Sequence, residues 1–178
     1  ARGVSHGLTL SGDGAVGFQV WLNLPAENKR QPALARDIAA ADIPSVIYPK
    51  AEAKVLAGRL QGLMGPIMSP PTQPLLLDIR LGSEGEITLP LPAGHRGFVY
   101  VFSGGVAVEQ TLINAGQAGV LTAEDGDTLN LAAGQDGARA LVATALPLNE
   151  PLVRYGPFAM NDHDGVKQAF TDYQNGLF

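Results

Sequence analysis

The 178-residue chain has no cysteine, which excludes disulfides, cysteine-ligated zinc and thiol nucleophiles at once and fits a reducing compartment. Histidine is scarce as well. His6, His95 and His163 are the only imidazoles, and no two stand at the i+2, i+3 or i+4 spacing by which one strand or helix presents a metal-binding pair. Charged residues make up only 16%, and 12 Lys+Arg are outnumbered by 17 Asp+Glu for a net charge of −5. No basic cluster exceeds Lys29-Arg30, so direct nucleic-acid binding, which needs a positive face, is not expected. No apolar run approaches the ~18 residues of a membrane helix, and no charged-then-apolar leader opens the chain. A cytoplasmic location without membrane association is the expectation. Residue 1 is Ala rather than Met, which predicts a trimmed, processed or cut chain.

What is abundant is apolar surface, at 46% hydrophobic, punctuated by 22 Gly and 13 Pro. That combination predicts a real core built from short elements with many turns. Strand-like runs fall at residues 18–22, 75–81, 86–91, 98–102, 106–108, 119–121, 128–131 and 140–143, with turn residues between them. Their spacing of roughly 8–12 residues suggests a β-sandwich or barrel. Residues 44–50, bracketed by Pro44 and Pro49, read as a connection. Two segments read as helical. Residues 33–41 are Ala-rich and stop before Pro44. Residues 161–176 are better marked: Asn161 or Asp162 can cap, Val166, Ala169, Phe170 and Tyr173 share a face, and Gly176 stands at the C-terminal cap.

Few residues carry chemistry on spacing alone. Gly12-Asp13-Gly14-Ala15-Val16-Gly17 matches G-x-G-x-x-G, but the dinucleotide mechanism needs a helix after the loop, and a strand pattern follows here. A glycine-rich turn fits better. His163 stands in a first helical turn, where a solvated polar residue is the ordinary outcome, and His95 stands in the turn Pro92-Ala93-Gly94-His95-Arg96-Gly97, where turn polarity accounts for it. Ser103 has no obvious base and no G-x-S-x-G setting. Glu124-Asp125-Gly126-Asp127 lacks the ligand spacing of a calcium loop.

Longer blocks say more. Gly17-Phe18-Gln19-Val20-Trp21-Leu22-Asn23-Leu24-Pro25-Ala26, Pro90-Leu91-Pro92-Ala93-Gly94-His95, Phe98-Val99-Tyr100-Val101, Glu150-Pro151-Leu152-Val153-Arg154-Tyr155-Gly156-Pro157-Phe158-Ala159-Met160-Asn161 and Asp172-Tyr173-Gln174-Asn175-Gly176 together resemble the pirin family of the cupin superfamily. The resemblance runs essentially end to end. It implies an all-β fold, a cupin-like double-stranded β-helix or jelly-roll barrel with a short helix and a C-terminal helix. It also implies two such barrels side by side in a complete member, the first holding a mononuclear iron on three His and one Glu.

Arg2-Gly3-Val4-Ser5-His6-Gly7-Leu8 resembles the family segment that supplies the last two ligands. His6 falls on a ligand histidine, and Leu8 falls where the Glu belongs and cannot coordinate. The earlier H-x-H pair is not in this sequence. The resemblance therefore implies iron for a complete protein and none held by this chain alone. For the second barrel it places Arg139 near the position of a metal-binding His, where a guanidinium offers no lone pair.

The domain expectation is that residues 1–24 are the closing strands of an N-terminal cupin domain most of which is missing, and that 25–178 form the C-terminal pirin cupin domain with its helix at 161–176. No catalytic residue is assigned. The implied activity of a complete member is of the quercetin 2,3-dioxygenase type on a flavonol-like substrate, with this fragment inactive. The alternative is a non-catalytic regulatory protein, a transcriptional co-regulator or enzyme-modulating partner acting through protein contacts. Self-association through the orphan strands, Phe18 and Trp21 among them, is expected as well.

Overall fold

The structure, a computed structural model, describes residues 17–68, 71–122 and 128–177. His6, Leu8, most of the Gly12–Gly17 motif and the acidic loop 124–127 lie outside the described residues. The chain groups into two regions: Asp37–Pro147 forms one, and residues 17–36 with 148–177 form the other.

Strands in the first region are β1 (Ser45–Tyr48), β2 (Ala51–Ala57), β3 (Arg59–Leu60), β4 (Leu63–Met64), β5 (Leu75–Leu81), β6 (Glu86–Pro90), β7 (Arg96–Val108), β8 (Thr111–Asn114), β9 (Ala118–Thr122) and β10 (Thr128–Ala145). Eight of them make one antiparallel sheet in the order β1-β2-β5-β10-β7-β8, with β6 also on β10 and β9 also on β7. Two long strands organise it. The first part of β10 pairs with β6, while its later part lies between β5 and β7. In the same way β7 gives its first part to β9 and its last part to β8. Strands that change partners midway bend the sheet over on itself, as a jelly-roll barrel requires.

Alternation fixes which face is inside. In β2 (AEAKVLA) and β5 (LLLDIRL) every second residue is buried, the period of a strand with one apolar face. Ala53, Val55, Leu77, Ile79, Leu89, Val99, Val101, Ala140 and Val142 thereby meet in one core from five strands. Among the described residues the fold is mostly β with a single α-helix, and the barrel expectation holds.

Four local expectations need correction. Residues 33–41 are not an α-helix; only a single 3-10 turn forms, at Ala40–Asp42. Short isolated helices are marginal without a face to bury, and this stretch is exposed, Leu34 to 89%. The strand expected at 18–22 does not form. No described strand pairs with residues 17–25, and a strand without a neighbour has no ladder to complete. The connection at 44–50 is instead the β1–β2 hairpin: Tyr48 opposes Ala51, so Pro49-Lys50 is its two-residue turn and the prolines flank the strand rather than break it. Finally, the runs 128–131 and 140–143 are not separate strands but parts of one, β10, bulged where its register against β7 shifts between Ala133 and Ala138.

In the other region, β11 (Val153–Tyr155) and β12 (Phe158–Met160) form a hairpin, followed by α1 (His163–Gln174). The helix ends follow from the sequence. The Asp162 side chain accepts a hydrogen bond from the Gly165 amide at 2.6 Å, an N-cap. At the other end Gly176 sits at φ +67, its N–H bonded to the Tyr173 carbonyl and that of Leu177 to the Asp172 carbonyl. That is a Schellman closure, which needs the left-handed residue glycine supplies. Val166 is buried, and Phe170 stacks edge-on against Phe158 at 4.7 Å and Tyr155 at 5.6 Å.

Candidate functional site

One end of the barrel carries a cavity of about 410 Å³, walled by Arg59, Met64, Met68, Gln73, Leu75 and His95 among others. Its shape comes from backbone that side chains could not easily replace. Gly58 sits at φ +82, and a Cβ there would meet the Pro74 carbonyl oxygen at 2.3 Å, so the chain leaving β2 and the chain entering β5 touch directly. Gln73 is held in the left-handed region at φ +45.

His95 is the chemical centre of this wall. It is 2% exposed; its Nδ1 lies 3.1 Å from the Thr144 hydroxyl, and its Nε2 is buried without a hydrogen-bond partner. Burial holds its pKa below the ordinary 6.5, because the imidazolium would lose hydration that nothing nearby replaces. It is a neutral imidazole with one satisfied nitrogen and one spare. Turn polarity does not explain it, contrary to the expectation from Pro92–Gly97. One trace is present in the sequence: Thr144 continues the inward series Ala138, Ala140, Val142 of β10, and a hydroxyl on an apolar face needs a buried polar partner.

The other marked residues do not join it. His163 opens α1 and is exposed. Ser103 lies on an exposed part of β7 opposite Arg139. Arg139 does not project into the barrel as the alignment with a ligand histidine required. It is on the outside, its Nη2 donating to both Asp78 carboxylate oxygens at 2.8 and 3.1 Å and its guanidinium 4.8 Å from the centre of the Phe102 ring, while its neighbours Ala138 and Ala140 face the core. The residues that do fill the barrel are aliphatic. Among the described residues no three His, Asp or Glu side chains converge; His95 has a hydroxyl beside it and no carboxylate. These residues do not fit an iron.

Polar contacts of another kind hold the second region. The Glu150 carboxylate accepts hydrogen bonds from the Ala26 amide and the Asn161 side chain, both at 2.8 Å. Lys29, half of the largest basic cluster in the sequence, is buried and donates to the Asn23 side-chain oxygen. Desolvation lowers its pKa and the Glu150 charge partly restores it. Arg154 lies 5.7 Å from the Trp21 ring. Two blocks of the sequence, 17–26 and 150–161, thus meet in one set of contacts.

Residues 76–178 match the Pirin C-terminal cupin domain. The chain belongs to the pirin family. Among its relatives is a Pseudomonas aeruginosa protein named "Putative quercetin 2,3-dioxygenase", 38% identical over 186 residues, covering 99% of this chain and 65% of the relative. Pirin of Rattus norvegicus is 29% identical over 181 residues, covering 98% and 61%. The crystal structure of a quercetin 2,3-dioxygenase from Acinetobacter baumannii superposes with a TM-score of 0.82 at 31% identity, over 89% of this chain and 55% of that one. This pirin-family chain therefore spans less than two thirds of the length of these relatives.

Proposed function

We propose that the complete protein is an iron-dependent cupin with quercetin 2,3-dioxygenase-type activity on a flavonol-like substrate, and that residues 1–178 alone do not turn it over. The supporting observation is the 38% identity, across 99% of the chain, to the Pseudomonas relative of that name. His6 is the residue of this chain assigned to the metal, on the resemblance of its segment to the family's ligand segment; Leu8 at the carboxylate position weakens the site. The domain reading goes with it, residues 1–24 belonging to the first cupin domain and 25–178 to the second. The test compares iron content and flavonol loss for residues 1–178 and for the protein expressed from the complete reading frame. Iron and turnover in the longer protein, both reduced in His6→Ala, are expected. A longer protein without either would sink the reading.

A second reading has its own support. Phe18, Val20, Trp21 and Leu22 are each more than 40% exposed, an unusual run for a surface that meets only water. It would suit a regulatory protein of the cytoplasm acting through protein contacts or self-association. The segment 18–22 is not a strand in the single chain, so strand pairing there would have to form together with the partner. A stoichiometric complex formed by metal-free protein and lost in Trp21→Ser would favour this reading over the enzymatic one.

A further inference from the structure

The described residues that line the His95 cavity all belong to Asp37–Pro147, and its chemistry points to a ligand of its own. Among the described residues Arg59 is the one charged side chain in its wall, in a chain whose net charge is −5. Arg59 enters none of the ion pairs among the described residues, so its guanidinium is available to a carboxylate, the partner its planar fork fits best. His95 adds a buried nitrogen that lacks a partner, a group that a ligand's hydrogen bond would satisfy.

The rest of the wall is apolar and of a particular kind. Met64 and Met68 bring two of the chain's three thioethers to one place, and methionine sulfur makes favourable contacts with aromatic rings. Pro74, Leu75 and Pro92 complete the apolar surface. The Nε2 atom of His95 is closed to water as the structure stands; the two methionines, 45% and 60% exposed and freely rotating about three bonds, are the part of the wall best able to move aside. The volume, about 410 Å³, is within the range of small-molecule sites.

We propose that this cavity binds a small aromatic carboxylic acid, its carboxylate on Arg59 with His95 as the second polar contact and its ring against Met64 and Met68. The test uses residues 1–178 labelled at the methionine methyl groups and titrated with benzoate or 2-naphthoate. Met160, in the other region, serves as an internal control. Saturable shifts at Met64 and Met68 with a Kd on the order of 0.1–1 mM are expected, with Met160 unmoved. Benzamide, the uncharged counterpart, should bind about tenfold more weakly, and Arg59→Gln should weaken benzoate about tenfold while leaving benzamide unchanged. His95→Asn should weaken benzoate as well; because His95 is buried and that variant can misfold, the exposed Arg59 carries the decision. Absence of a saturable shift at both cavity methionines, equal shifts at Met160, or benzoate binding indifferent to Arg59→Gln would each overturn the proposal.

Discussion

The region Asp37–Pro147 and the region made of 17–36 with 148–177 are held together by different physics. In the first, long strands bury alternate aliphatic side chains into one core, and the buried polar groups, His95 and Thr144 among them, are few. In the second, a hairpin of two three-residue strands and a 12-residue helix leave Trp21, Tyr155 and Tyr173 more than half exposed. Its order depends on edge-on aromatic contacts, a helix cap and the Glu150 hydrogen bonds. The difference teaches where tolerance lies. A core of interchangeable aliphatics accepts substitutions that conserve volume, whereas a set of individual polar and aromatic contacts has no substitutes for its members.

That contrast can be broken by mutation. The largest effect is expected for Leu77→Ala, which empties a fully buried position at the centre of β5 and should cost about 3 kcal/mol, read as a lower denaturation midpoint. Phe170→Ala removes the ring that Phe158 and Tyr155 share and should cost about 2 kcal/mol, less than full burial would give. Hydrogen exchange should show its loss of protection confined to 148–177; equal loss across β5 and β10 would mean that the two regions are not energetically distinct. Asp162→Ala deletes the N-cap and should cost about 1 kcal/mol, with the amides of Gly165 and Val166 first to exchange.

The smallest effect at neutral pH, and the one most specific to the barrel, concerns His95. Its pKa in the folded state is lowered by burial, so below about 6.5 the unfolded chain binds a proton that the folded barrel resists. Stability should therefore be unaffected at neutral pH and fall as pH drops through that value toward the folded pKa. A His95→Asn variant that still folds should lose this component of the acid slope, and an unchanged slope would show that other groups cause it.

Much of the barrel was legible because strand alternation is a local code. Residues 75–81 and 86–91 read as strands from apolar runs set between turn residues, and they form β5 and, one residue shorter, β6; α1 read correctly because its caps, Asp162 and Gly176, act within one turn of the residues they serve. Residues 33–41 and 18–22 misled for the opposite reason: propensity and alternation were present, but neither segment has a surface or a neighbouring strand to complete it. Lys29 is buried despite its charge, since burial depends on what folds over a residue.

Without cysteine and with three histidines far apart, the sequence by itself excluded disulfide and thiol chemistry, set the β class and carried the family likeness. Only tertiary structure decided where the remaining histidines went. His95 and Thr144 are 49 residues apart and 3.1 Å apart in space, while Arg139 faces outward to Asp78, 61 residues away. Such distances are set by strand register and by a bulge in β10, and register is the cooperative outcome of the whole sheet, to which each residue contributes only its preference for one face or the other.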